Sequence, residues 1–330
     1  KIILHKIKYS FKIYAKTVAK ICNNCYDCFS YHTEIKNMKK SGKIIISILT
    51  LIVVCASCIA LVACNTSSAN GKQINMVNVE LSSEQYAFIF KKSDDALKES
   101  VNAILESKKT QIDEIMSKYL NATGDELASF GSSSIKTTPS GADDELVVAT
   151  NIDFAPFEYY NGAKIAGIDI EIAQLIADEL GKTLVVVHME FDAVVPAVET
   201  KAEYDIGMAA LTISADRAKI VNFSNPYYDT TQVLVVKANS VTPFDYCTTK
   251  AEIESVLSSL KGAKIGGQTG TTGQQYIKGN DSLEFGGYAN IEFNGFDAPG
   301  LAVQAMLNGN IDYVIVDKAI AVTLLKNFNK

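Results

Sequence analysis

The chain has 330 residues, 48% of them hydrophobic and 21% charged, enough to bury one or two cores and neither a disordered chain nor a polytopic membrane protein. Residues 1–63 hold ten of the 31 Lys and Arg but only Asp27 and Glu34 of the 37 Asp and Glu, so the remainder carries 21 basic against 35 acidic side chains, a formal charge of −14. Nucleic-acid binding needs clustered cations to displace counterions, so a body this acidic excludes nucleic acid and points to small ligands or proteins.

Residues 1–37 precede Met38 and are read as upstream, untranslated or leader sequence outside the fold. They contain Cys22, Cys25 and Cys28 in CxxCxxC spacing, but no fourth ligand follows at a spacing that a metal or iron–sulfur site requires. Residues 44–63 carry no charge, follow Lys39, Lys40 and Lys43, and run into Leu61-Val62-Ala63-Cys64. This resembles a bacterial lipoprotein signal over 38–63, with Cys64 as the lipidated first residue of the mature protein and 64–72 as a small, polar tether. An uncleaved membrane span is the alternative, since twenty apolar residues suffice to cross a bilayer. Either way the body is held at the extracellular face of the cytoplasmic membrane. Of seven cysteines only Cys247 falls in the body, which predicts no internal disulfide there.

Residues 85–92 alternate as a strand, and 94–119 predict one long amphipathic helix with Leu97, Val101, Ile104, Leu105, Ile112, Ile115, Met116 and Tyr119 on its apolar side. The stretch 121–143, rich in Gly, Ser and Pro, reads as a surface linker. Next, 146–150 predicts a buried strand, 168–180 a helix stopped by Gly181, and 184–187 a second strand. Asp192 is placed to cap a helix carrying Pro196 in its first turn. A second unit of this kind starts near Ala263, with a strand at 264–266, the turn 268–273, a helix from Gln274, a helix at 301–308 and a strand at 311–316 ending at Asp317. The strand 233–237 is suited to crossing between the two units. Such alternation predicts α/β lobes with ligands at the carboxyl ends of the strands.

The stretches NIDFAPFEY (151–159), GIDIEI (167–172), MEFDAVVP (189–196), DIGMAALTISADR (205–217), FSNPYY (223–228), QTGTT (268–272) and VIVD (314–317) resemble, in this order, the motifs of the polar amino-acid solute-binding proteins of ABC importers. The resemblance implies a two-lobed, type II periplasmic-binding-protein fold of α/β class with the ligand cleft between lobes. It also implies a monomer that binds a free amino acid, needs no cofactor or metal, hands its ligand to an ABC transporter permease, and touches the membrane through its lipid anchor alone. Arg217 then forks the ligand carboxylate, a geometry that Lys cannot match. Thr212, Thr272 and the Gly270 turn supply further donors to it. Asp317 and the Ala210 carbonyl take the ammonium, and Phe154 and Phe191 stack around the ligand side chain. Asn151, Glu158 and Gln268 are left facing a polar side chain, whose identity the sequence does not specify. Read from their own neighbourhoods, Arg217 beside Asp216 and Asp317 beside Lys318 are equally surface ion pairs, and the two Phe equally core.

Family members continue beyond the segment equivalent to 314–318, whereas here the stretch VELSSEQYAFIFKKSDDAL (79–97) and the helix after it resemble that C-terminal part placed at the front. The chain thus resembles a circular permutant, with 73–82 and 243–330 in lobe 2, 85–120 and 144–238 in lobe 1, and 121–143 joining them. Two further functions fit the same fold: a ligand-sensing subunit, and an enzyme. His188 has no evident nucleophile or metal partner, and no general acid/base pair stands out, so the expectation is a binding protein and not an enzyme.

Overall fold

The computed structural model describes residues 71–330. The expected leader, the lipoprotein signal, Cys64 and the first residues of the tether lie outside the described residues. Strands β1 (Ile74–Met76), β2 (Glu84–Tyr86) and β3 (Ile89–Lys91) lead into helices α1 (Asp95–Ser107) and α2 (Lys109–Asn121) and the single turn α3 (Gly124–Leu127). Then come β4 (Glu145–Thr150), the short strands β5 (Asp153–Phe154), β6 (Glu158–Asn161) and β7 (Lys164–Ala166), α4 (Ile168–Glu179), β8 (Thr183–His188), α5 (Phe191–Thr200), β9 (Ile206–Gly207), α6 (Ala215–Ile220), β10 (Val221–Phe223) and β11 (Tyr228–Thr230). The remainder is β12 (Gln232–Lys237), α7 (Lys250–Ser259), β13 (Ala263–Gln268), α8 (Thr272–Lys278), β14 (Ile291–Phe296), α9 (Pro299–Leu307), β15 (Tyr313–Asp317) and α10 (Lys318–Phe328).

Two five-stranded sheets, ordered β10-β3-β9-β4-β8 and β1-β12-β15-β13-β14, form the two lobes of the α/β fold. In the first, β4 runs parallel to β8 and β9. In the second, β13 runs parallel to β14 and β15. Strand β4 is buried along its whole length, as a parallel strand covered on both faces requires. Leu146 and Val148 face the main core with Ile168, Ile172 and Ile176 of α4, while Val147 and Ala149 face Val194 and Val198 of α5. The second sheet is sandwiched likewise, with Val303 and Ile320 on one side and Ile253, Leu257 and Tyr276 on the other. No helix among the described residues is long and apolar enough to cross a membrane.

Several sequence expectations need correction. The strand at 233–237 belongs to the second sheet, between β1 and β15, so the boundary of lobe 1 at residue 238 is too late. The crossing comes earlier, where β11 pairs with β2 in a two-stranded ribbon and the Leu81 N–H bonds the Gln232 carbonyl at 3.0 Å. The apolar run 233–236 of β12 suits burial on both faces of a sheet, which an exposed hinge would not provide. Strand β3, within the expected strand 85–92, lies between β10 and β9 and is interior to the first sheet. The long helix bends at Lys108, where the Ser107 hydroxyl competes for the Ile104 carbonyl at 3.2 Å. Asp192 is no cap: α5 starts at Phe191 after Glu190, and no side chain caps it. The 121–143 stretch is pinned at both ends, by the Thr123–Glu126 capping box with buried Leu127 and by Ser140, whose N–H and hydroxyl both bond Glu145.

Candidate functional site

The loops at the carboxyl ends of β4, β9, β13 and β15 meet where the lobes face each other. Thr212 follows β9 and Arg217 sits on α6, whose N-cap Ser214 accepts the Arg217 N–H. Half-buried Arg217 donates from Nη1 to the Thr212 carbonyl at 2.8 Å and from Nη2 to the Gly270 carbonyl of the other lobe at 3.3 Å. Its guanidinium lies 5.4 Å from the centre of the Phe191 ring, a cation–π distance. No carboxylate among the described residues is within ion-pair distance of it. Burial lowers its pKa to about 10, against the opposing pull of Glu84, Asp317 and Tyr86.

From the second lobe come Gly270, Thr272 at the start of α8, and Asp317 at the end of β15. Thr272 and Asp317 are each 3% exposed, and Thr212 4%, so these three polar groups sit within the lobe contact. The Gly270 N–H is taken by Gln274 Oε1 at 2.7 Å, so that amide of the expected anion-binding turn already has a partner. Asn151 bridges the lobes: its Oδ1 accepts from Gln268 at 2.8 Å while its Nδ2 donates to the Met189 carbonyl. Beside it lies a cavity of about 140 Å³ lined by Phe191, Gln268, Thr269 and Phe296, with Glu190, Asp192 and Asp297 around it. Phe154 does not line it and is buried in the main core.

Ala210 has a φ of 46°, the left-handed region that costs a non-glycine residue ~1–2 kcal/mol. Its N–H is held at 2.9 Å by Asp169 Oδ2, whose other oxygen accepts from the Tyr227 hydroxyl at 2.6 Å. Asp169 and Tyr227 therefore hold the Ala210 backbone in this conformation, a role not foreseen from their place in the sequence. Also unforeseen were Glu84 and Tyr86 on β2. Tyr86 donates its hydroxyl to Asp317 at 2.6 Å, and Glu84 Oε2 accepts from Thr212 at 2.8 Å and Thr272 at 2.7 Å. The sole sequence signal was strand alternation, which puts the two on one face without saying which way that face turns.

Gly270 has a φ of +80°, and a Cβ there would lie 2.8 Å from Asp192 Cβ across the cleft. Gly270→Ala is therefore expected to cost ~1–2 kcal/mol in backbone strain and to hold the lobes apart. Small-angle scattering should show a larger radius of gyration, and an unchanged radius would contradict this.

Burial pushes the Asp169 carboxyl up to about 7, despite the donors from Ala210 and Tyr227. Glu158, fully buried with neither carboxylate oxygen hydrogen-bonded, is raised further by burial and then by the charges of Asp169 and Asp153. Unfolded carboxyls release their protons near ~4. Between that value and about 7 the folded chain therefore binds more protons than the unfolded one. The contribution of Asp169 to stability is complete below pH ~4 and is lost as pH rises through about 7, and that of Glu158, raised by burial, is lost in the same direction. The melting temperature should fall between pH 5 and pH 8, and Glu158→Gln should flatten that fall. A melting temperature that rises over this range in the parent would refute the assignment.

The sequence profile of the bacterial extracellular solute-binding proteins, family 3, matches residues 146–283. The chain is 29% identical over 184 residues to a probable histidine-binding protein of Neisseria gonorrhoeae, covering 54% of this chain and 61% of that one. It is 32% identical over 143 residues to the arginine-binding extracellular protein ArtP of Bacillus subtilis, covering 43% and 50%. The chain thus spans about half to three-fifths of these curated relatives. Among solved structures, an ancestral arginine-binding protein bound to arginine is 32% identical, with 56% of this chain and 74% of that chain covered and a TM-score of 0.47. By the profile match, residues 146–283 of the chain belong to the bacterial extracellular solute-binding proteins, family 3.

Proposed function

We propose that the chain is the extracellular substrate-binding lipoprotein of an amino-acid ABC transporter. In this reading it is a monomer, lipidated at Cys64, that closes on one free amino acid and presents it to the transporter permease. Arg217, with Thr212 and Thr272, receives the ligand carboxylate. Asp317 and the Ala210 carbonyl receive the ammonium. Phe191 borders the side-chain space, with Asn151 at its polar end, while Phe154 belongs to the core. Residues 73–120 are taken as the family's C-terminal part placed ahead of the rest. The observation that carries the reading is Arg217: its guanidinium reaches backbone carbonyls of both lobes and has no carboxylate partner within the described residues. A half-buried cation without a counter-charge is matched by a carboxylate, and a ligand carboxylate supplies the missing charge. Titration calorimetry against the twenty amino acids tests it: at least one should bind with a micromolar or tighter constant. Binding of none, or binding by an Arg217-independent mode, would end this reading.

A further inference from the structure

Strand β2 fills the very anchors assigned to the ligand. Its residues Glu84 and Tyr86 are two apart and so project from one face, and both point into the lobe contact. Glu84 Oε2 accepts hydrogen bonds from the Thr212 hydroxyl of one lobe and the Thr272 hydroxyl of the other, at 2.8 and 2.7 Å. Its Oε1 accepts from Ser82 at 2.5 Å. The Thr272 hydroxyl in turn accepts from Gln232 Nε2 at 3.0 Å, leaving its proton for Glu84. Glu84 thus accepts from three hydroxyls, those of Ser82, Thr212 and Thr272. Tyr86, 1% exposed, places its hydroxyl on Asp317 Oδ1. One strand thus sets a carboxylate where the ligand's carboxylate belongs and a hydroxyl donor where its ammonium belongs.

We infer that Glu84 is a self-ligand of the cleft: its side chain bridges the two lobes through Thr212 and Thr272, and an incoming amino acid must displace it to bring its own carboxylate to them. The inference rests on the amino-acid reading above. Displacement concerns the side chain alone, because the β2 backbone is held on both edges, by β11 and by residues 211–213, where the Gln85 carbonyl accepts from the Ile213 N–H at 2.9 Å and the Ala87 N–H donates to the Leu211 carbonyl at 3.0 Å. The carboxylate needs only a rotamer change to leave, whereas Tyr86 is wedged against Phe157 at 5.1 Å and Tyr228 at 5.7 Å and stays. Glu84 therefore opposes weak carboxylates and non-specific anions, which cannot also satisfy Asp317, and admits a ligand bearing both groups.

The test is Glu84→Gln, which keeps the length and one acceptor but removes the charge that competes for the hydroxyls, with Glu84→Asp as a second variant that retains the charge but retracts it by one methylene. Both should bind the amino acid identified for the parent at least ~tenfold more tightly, the loss of a charge-assisted bridge. In scattering without added ligand, Glu84→Gln should have a larger radius of gyration than the parent, and saturating amino acid should remove the difference. A merely structural Glu84 would lower the melting temperature and leave the affinity equal or weaker, which overturns the inference while the amino-acid reading stands. Failure of both variants to fold would overturn it too, because a displaceable side chain is one that the fold tolerates losing. If neither parent nor variants bind any amino acid, both readings fall together.

Discussion

Arg217→Ala is expected to abolish amino-acid binding without unfolding the protein. Its guanidinium makes hydrogen bonds to the Thr212 and Gly270 carbonyls and a cation–π contact with Phe191, but packs no core cluster. Removing it leaves a desolvated ligand carboxylate without its fork, a loss of ~3–5 kcal/mol for one half of a buried charge pair, or roughly a hundred- to several-thousandfold in affinity. Arg217→Lys keeps the charge and loses the second parallel N–H bond, so it should recover part of the affinity. Calorimetry gives the constants and a thermal melt monitors the fold. If the alanine variant binds within ~threefold of the parent, Arg217 has no place in the site.

Deleting residues 73–120 is expected to destroy folding altogether. The segment supplies β3, whose two edges pair with β10 and β9, so its loss would split the first sheet and expose unpaired strand edges. It also supplies β1 at the edge of the second sheet. Phe88 and Phe90 are fully buried, Phe88 stacking on Tyr227 at 4.5 Å, and Phe-to-Ala changes at such sites cost ~3–5 kcal/mol each. Val101, Ile104 and Leu105 of α1, with Ile112 and Tyr119 of α2, complete the main core. Together these losses exceed the ~5–15 kcal/mol that stabilises a typical domain. Expression of 121–330 alone should give insoluble protein without a cooperative melt. A soluble, compact fragment that still binds its ligand would make 73–120 an appendage and remove the support for a permuted chain order.

Local pattern carries its information over short distances, and what was legible in the sequence follows that range. Unbroken β-branched runs such as 146–150 identified buried strands, because a strand covered on both faces has no place for polar side chains. The spacing of Ile168, Ile172 and Ile176 identified α4, and the ordered motifs between 151 and 317 identified the family and its α/β fold. The same locality explains the errors. An apolar run reads alike in either sheet, so the assignment of 232–237 depended on Ile74–Met76 and Tyr313–Asp317, both far away in the chain. The interruption at Lys108 has no mark in the apolar periodicity, which runs on through both helices. In the site, residue types marked Arg217, Thr212, Thr272 and Asp317 as groups able to meet an amino acid. Nothing local marked Glu84, since a Glu on a polar-looking stretch is ordinarily solvated. Its position between Thr212 and Thr272, 128 and 188 residues away, exists because two sheets from distant parts of the chain close on one short ribbon and bury whatever that ribbon points inward.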